Sequence, residues 1–169
     1  FIGTGNMGGA LARAAAKSLP GAEILLSNRT PAKAEALARE LGCAAGSAEE
    51  AAREGRYIVL GVKPQMMAAL LEDLTPALAA RRDRFVLVTM AAGLTMARIA
   101  EMAGGDWPVI RIMPNTPCAV GAGVVLCDAN RQVTAQELED FSAALAGAGI
   151  IDRLDESLID AACALTGCG

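Results

Sequence analysis

Histidine is absent from the 169 residues. That absence removes histidine metal ligands, Ser-His-Asp triads and histidine general bases from the chemistry this chain can carry. Aromatic residues reach only 3%, although 53% of the chain is hydrophobic and much of that is alanine. Such a composition suits Ala-rich helices packed closely on a sheet. There is no long run of one charge sign, and the net charge is -4. That balance sets nucleic acid and anionic membrane surfaces aside as expected partners. A long apolar run is missing too: Phe85 to Ala97 is interrupted by Gly93 and followed by Arg98, too short and broken to span a bilayer. The five cysteines, Cys43, Cys118, Cys127, Cys163 and Cys168, contain no CxxC pair. Their odd count and wide spacing predict reduced, mostly buried thiols of a cytoplasmic protein.

What is present begins at once. Phe1-Ile2-Gly3-Thr4-Gly5-Asn6-Met7-Gly8-Gly9-Ala10 reads as the end of a buried strand, a glycine turn and the start of a helix. Gly3, Gly5 and Gly8 stand in the G-x-G-x-x-G spacing. In a dinucleotide-binding turn, the first glycine permits the tight turn, the second lets a pyrophosphate approach the backbone, and the third lets helix and strand pack closely. The helix then presents free N–H groups and the positive end of its dipole to phosphate. The triplet alone also fits an ordinary structural turn. The apolar pair before it and the Ala-rich run from Ala10 to Ser18 favour the phosphate-binding reading. Two residues are fewer than the five or six of a usual strand. The first strand is therefore expected to begin upstream, and the chain is read as part of a longer protein.

A second buried strand is expected at Ala22 to Ser27, then a helix from Pro31 to Leu41, capped by Thr30 and stopped at Gly42. The tip of that strand, Ser27-Asn28-Arg29-Thr30, carries no acid. An acid there would bind a ribose 2′-hydroxyl and repel a 2′-phosphate; Arg29 with flanking hydroxyls attracts the phosphate instead. NADP is thus favoured over NAD, a solvated turn arginine being the plainer alternative.

Further buried strands are expected at Tyr57 to Val62, Phe85 to Thr89 and Pro108 to Ile112, with Arg111 inside the last. Val124 to Cys127 is expected as an edge strand and Gly149 to Asp152 as a short final one. Helices are expected from Pro64 to about Ala80, over Thr95 to Ala103, from Thr134 to Ala146 with Glu137 completing a capping box, and from Asp155 onward. Lys63 follows the third strand, where open α/β sheets bind ligands. The small-residue loop Met90-Ala91-Ala92-Gly93 suits a flat ring against backbone. In Met113-Pro114-Asn115-Thr116-Pro117, two prolines forbid helix and hold Asn115 and Thr116 rigidly between them.

Together these segments resemble the pyrroline-5-carboxylate reductase family. The pieces are Phe1 to Gly8, Gly61-Val62-Lys63-Pro64, Ala91-Ala92-Gly93, Arg111 to Pro117 and Leu165-Thr166-Gly167-Cys168-Gly169, in the expected order over the whole chain. The Met-Pro-Asn-Thr-Pro segment is the most specific. The resemblance implies an α/β, Rossmann-like, doubly wound and mainly parallel domain over 1–152, which binds NADPH, with NADH possible. It implies that 153–169 begin an all-helical domain through which a homodimer or higher homo-oligomer forms. It implies cofactor contacts from Ile2, Gly3, Thr4, Gly5, Asn6, Met7 and Gly8, from Asn28, Arg29 and Thr30, from Val62, Lys63 and Pro64, and from Ala91 and Ala92. Asn115 and Thr116 would lie near the nicotinamide, and Glu156 near the bound cyclic imino acid.

No residue of this chain is assigned a catalytic role or a metal. The family's substrate-holding, glycine-rich segment lies further along, so residues 1–169 alone are expected to be inactive. The terminal motif, usually Ser-Gly-Ser-Gly, is Thr-Gly-Cys-Gly here, and Ser47 stands about where the family often has an asparagine beside the adenosine. The implied reaction is reduction of 1-pyrroline-5-carboxylate to L-proline. The alternatives are another NADP oxidoreductase, β-hydroxyacid dehydrogenase-like or deazaflavin-dependent NADP reductase-like, and a non-catalytic NADPH-binding module.

Overall fold

Phe1 to Gly3 run through the middle of the sheet and bond to both neighbours. The Ile2 N–H donates to the Val59 carbonyl at 2.8 Å, and the Gly61 N–H donates back to Ile2 at 2.8 Å. On the other side, the Ser27 N–H donates to Phe1 and the Gly3 N–H to Ser27, each at 2.8 Å. Ile2 therefore bridges Ser27 and Leu60, both in parallel. This computed structural model describes residues 1–168 and the side chains of residues 1–164. Of the motif Leu165-Thr166-Gly167-Cys168-Gly169, the side chains lie outside the described residues, as does Gly169 altogether.

Ile2 stitches two ladders together. On one side lie β1 (Leu25–Leu26) and β2 (Ala44–Ala45), paired in parallel. On the other lie β3 (Tyr57–Leu60), β4 (Val86–Thr89), β5 (Val109–Pro114), β6 (Gly123–Ala129) and β7 (Gly149–Arg153), in that spatial order. Pairing is parallel throughout except between β5 and β6. The chain passes outward from Ile2 through β1 and β2, returns, and passes outward again through β3, β4 and β5. This is the doubly wound, Rossmann-like order, with its switch point between Ile2 and β3.

The helices are α1 (Asn6–Ala15), α2 (Pro31–Leu41), α3 (Ala48–Glu54), α4 (Pro64–Ala79), α5 (Met96–Met102), α6 (Ala135–Ala144) and α7 (Glu156–Cys168). Successive strand residues point to opposite faces, so each buried strand feeds two cores. Val59, Val88 and Ile110 pack with Leu11, Leu37 and Phe141 on one face. Ile58, Leu87 and Val109 pack with Met67, Leu71 and Ile99 on the other. Met113, Leu126 and Ile159 form a smaller core beneath α7. No helix among the described residues is long and apolar enough to cross a membrane.

Several local expectations change. Ala22 to Ser27 is not one strand: Gly21–Glu23 wind into a 3-10 turn, leaving Leu25–Leu26 as β1. The segment 124–127 is not an edge strand. It lies inside β6, flanked by β5 and β7, and the outermost strand is β7, where Ile150 is 66% exposed. Thr30 takes the N-cap position of α2 but its side chain makes no capping bond. Pro114 completes β5, and Thr116–Val120 form a 3-10 turn. A proline in the first turn is compatible with that, because the N–H it lacks has no helical partner there.

At the amino ends of the strands, α6 is pinned by one buried acid. Thr134 and Glu137 make the expected capping box. Glu137 is only 4% exposed, and both its carboxylate oxygens take bonds from Arg84 at 2.8 Å. The Arg84 guanidinium holds that carboxyl down to about 2. The Tyr57 hydroxyl donates to the Glu137 carbonyl at 2.8 Å.

Candidate functional site

The parallel strands deliver Gly3, Asn28, Val62, Ala91 and Asn115 to one edge of the sheet, beyond the strands' carboxyl ends. The glycine turn sits at the switch point. Gly3 has φ +97, a conformation that L side chains rarely adopt. A Cβ on Gly8 would lie 2.0 Å from the Gly3 carbonyl oxygen, so the crossing of α1 over the turn tolerates no side chain there. Gly5 is the opposite case: a Cβ would meet nothing within 4 Å. Its lack of a side chain is not required by packing, and it leaves open space over the exposed start of α1. Gly5 is also the N-cap of α1 and supplies no side-chain cap, so the N–H groups of Asn6 and Met7 remain available to an outside acceptor.

Asn28 ties the turn to the tip of β1. Its Oδ1 accepts the Thr4 N–H at 3.3 Å and its Nδ2 donates to the Thr30 carbonyl at 3.2 Å. Two hollows meet at Asn28. The first, about 600 Å³, is lined by Ile2, Gly3, Asn28, Arg29, Ser47, Val62, Met66, Leu70 and Asp73. The second, about 640 Å³ and more open, is lined by Thr4, Gly5, Asn6, Asn28, Lys33 and the ion-paired Arg13 and Glu40. The Thr4 hydroxyl is buried at this junction without a hydrogen-bond partner. A hollow of similar size at the amino ends of the strands, lined by Phe1, Leu19, Ile24, Tyr57 and Phe141, lies away from the glycine turn.

Three cations stand at helix starts on this edge, Arg29 lining the first hollow and Lys33 the second. Arg29 precedes α2, Lys33 lies in its first turn, and Lys63 is the N-cap of α4. Cations at helix N-termini oppose the macrodipole, so each is placed at a cost of about 0.3–1 kcal/mol. None of the three has a carboxylate partner among the described residues. An anion at the site would reverse that cost. Lys33 is the residue sequence reasoning missed. The sequence shows only a lysine in the first turn of a Thr-Pro helix start; that it is unpaired and lines the second hollow is seen in the fold alone.

The remaining expected residues fall elsewhere on the same edge. Met7, Thr30, Lys63 and Pro64 flank the hollows without lining them. Ala91 is buried and Ala92 exposed, in the turn after β4. Asn115 braces the β5–β6 connection, its Oδ1 accepting the Val124 N–H at 2.9 Å, while Thr116 is exposed. Glu156 opens α7, and its Oε1 accepts the Met96 N–H at 2.7 Å, 3.6 Å from Arg111 Nη1. Ser47 is committed to α3, in a capping box with Glu50. Burial pushes the Cys118 and Cys127 thiols up, which leaves them poor nucleophiles. No cluster of metal-ligating side chains occurs among the described residues.

This geometry has relatives. Residues 1–93 match the family model described as NADP oxidoreductase coenzyme F420-dependent. The chain is 36% identical to the pyrroline-5-carboxylate reductase of Pseudomonas aeruginosa, over 100% of its own length and 62% of the relative's. It is 39% identical to that of Escherichia coli, over 83% of this chain and 52% of the relative. Among solved structures it resembles a Coxiella burnetii pyrroline-5-carboxylate reductase with a TM-score of 0.91 at 26% identity, covering 100% of this chain and 63% of that one. It also resembles the Plasmodium falciparum pyrroline carboxylate reductase with NADP bound, with a TM-score of 0.85 at 28% identity, covering 100% and 62%. The chain thus spans only about half to three fifths of the length of these relatives, 52% to 63%. By the match over its first 93 residues, the chain belongs to the family of NADP oxidoreductases described as coenzyme F420-dependent, and it matches the N-terminal domain of the pyrroline-5-carboxylate reductases.

Proposed function

We propose that residues 1–152 are the NADP(H)-binding domain of an enzyme that reduces 1-pyrroline-5-carboxylate to L-proline, and that 153–169 begin its helical, dimerising domain. The observation that carries the cofactor reading is the junction at Asn28. Open backbone at Gly5, an orphaned Thr4 hydroxyl and unpaired Arg29 and Lys33 meet there with no acid at the tip of β1. These residues fit a dinucleotide that carries a 2′-phosphate.

When bound, NADPH supplies the hydride. The chain's own residues bind and orient. The N–H groups at the start of α1 meet the pyrophosphate, and Arg29 and Lys33 meet the 2′-phosphate. Val62, Met66 and Leu70 give the adenine an apolar wall. The loop from Met90 to Gly93, with Asn115 and Thr116, borders the nicotinamide end, and Glu156 stands on the substrate side. A cyclic imine can arrive already protonated, so the absence of histidine poses no obstacle. Catalysis then rests on positioning two rings.

The F420 reading rests on the family description alone, which covers residues 1–93. Pyrroline-5-carboxylate reductases match 100% of the chain, residues beyond 93 included, and that supports the cyclic imino acid. The test is to titrate the full-length protein with NADPH and NADH, add racemic pyrroline-5-carboxylate and follow nicotinamide absorbance. Rapid oxidation with NADPH preferred is expected. Tight NADPH binding without turnover would sink the reductase reading and leave a binding module.

A further inference from the structure

A charge inside the apolar run Val109-Ile110-Arg111-Ile112-Met113 needs a reason. Arg111 is 1% exposed, the largest side chain buried so completely. Its Nη2 donates to Asp160 Oδ1 at 2.6 Å, and its Nη1 lies 3.6 Å from Glu156 Oε1. Both acids belong to α7. Each also holds a backbone N–H beyond β4, Asp160 one in the loop before α5 and Glu156 the first of α5 itself. Glu156 accepts from Met96 at 2.7 Å and Asp160 from Gly93 at 3.4 Å. The register neighbours of Arg111 complete the pattern. Asp128 accepts the Glu156 N–H at 2.7 Å, and Thr89 accepts the Ala91 N–H at 3.3 Å.

A buried ion pair is a poor way to gain stability, since well-packed apolar residues often do as well. The Arg111 Nε is left without a partner, which also argues against a design for stability. What a planar guanidinium offers is fixed geometry: one fork can hold two carboxylates at a set spacing.

We propose that Arg111 is a positioning residue that locks the loop after β4 and the start of α5 to α7. The loop borders the nicotinamide end and α7 leads toward the substrate, so Arg111 sets the spacing between the two reacting rings. This rests on the reductase reading for its catalytic consequence, but not for the brace itself.

The test uses the full-length variants Arg111→Met, Arg111→Lys and Asp160→Asn. In unliganded Arg111→Met, exchange of the Gly93 and Met96 amides is expected to quicken about tenfold or more, with Leu87 in β4 unchanged. Affinity for NADPH should stay within about threefold while kcat falls about 10–100-fold, because misplacement costs rate rather than remote binding. Arg111→Lys should recover part of the rate. Asp160→Asn, changed at a half-exposed acid, should loosen Gly93 but not Met96, and Arg111→Lys, which keeps the charge but not the planar fork, decides the matter by the same amide exchange if Arg111→Met fails to fold. Unchanged exchange at Gly93 and Met96, or kcat within about twofold of wild type, would overturn the proposal. A wild-type protein inert toward pyrroline-5-carboxylate would defeat the reductase reading instead, and amide exchange would still judge the brace.

Discussion

Two glycines in one turn separate packing from binding. Gly8→Ala drives a Cβ to 2.0 Å from the Gly3 carbonyl oxygen. Backbone cannot swing aside as a side chain can, so the expected loss is about 1–3 kcal/mol of stability, read from the denaturant midpoint. Gly5→Ala meets nothing within 4 Å. Its stability should change by less than about 1 kcal/mol, while NADPH affinity falls about tenfold or more because the methyl occupies the phosphate approach. Replacing Arg29 or Lys33 by methionine should weaken NADPH about 10–100-fold and leave NADH nearly unchanged, the loss of a charge-assisted bond being worth about 1.5–3 kcal/mol. Equal weakening of both cofactors in a fluorescence titration would refute the 2′-phosphate role.

Among the elements, α6 gathers its cap and its buried ion pair in a single side chain. Glu137 caps its own helix, receives both Arg84 bonds and sits buried over the amino ends of β3 and β4. Its folded pKa, about 2, lies below the ordinary value of 4.5. The folded state therefore favours the ionised form. That contribution is complete above pH about 4.5 and is lost as pH falls through about 2. Wild type should lose more stability between pH 5 and pH 2 than Glu137→Gln, which has no carboxylate to protonate there. At neutral pH the variant should be weaker by about 1–3 kcal/mol, since Arg84 loses its charged partner. Parallel pH titrations of the urea midpoint would reveal the difference. Thr134→Ala removes only the hydroxyl half of the cap and should cost about 1 kcal/mol.

At the scale of the molecule, ligand binding and folding are linked through the central position of Ile2 and Gly3. The glycine turn proposed to hold the phosphates continues directly from the residues that join the two ladders. A ligand that binds the folded state at about 100 times its Kd adds about 2.7 kcal/mol. For a protein of this size that raises Tm by about 5–11 °C. NADPH is expected to produce this shift, and NADH a smaller one at equal concentration. Equal shifts would remove the 2′-phosphate from the account.

The turn and most element types were legible in the sequence because their causes are local. Gly3, Gly5 and Gly8 carry their spacing with them, Thr134 and Glu137 are three residues apart, and Gly42 ends α2 in the left-handed conformation a missing Cβ permits. Continuous apolar runs likewise mark β3, β4 and β5 as buried on both faces. Strand order was not legible residue by residue. A parallel pair is chosen by how its crossover packs, so only the folded chain places Ile2 between β1 and β3 and slips β6 between β5 and β7. The same limit applies to the site. Arg29 announced itself beside a strand tip, but Lys33 gains meaning only where α2 swings it beside Gly5. Arg111 was visible as a charge in an apolar strand. Its partners Glu156 and Asp160 lie 45 and 49 positions away, and nothing but the docking of α7 on β5 and β6 could bring them to it.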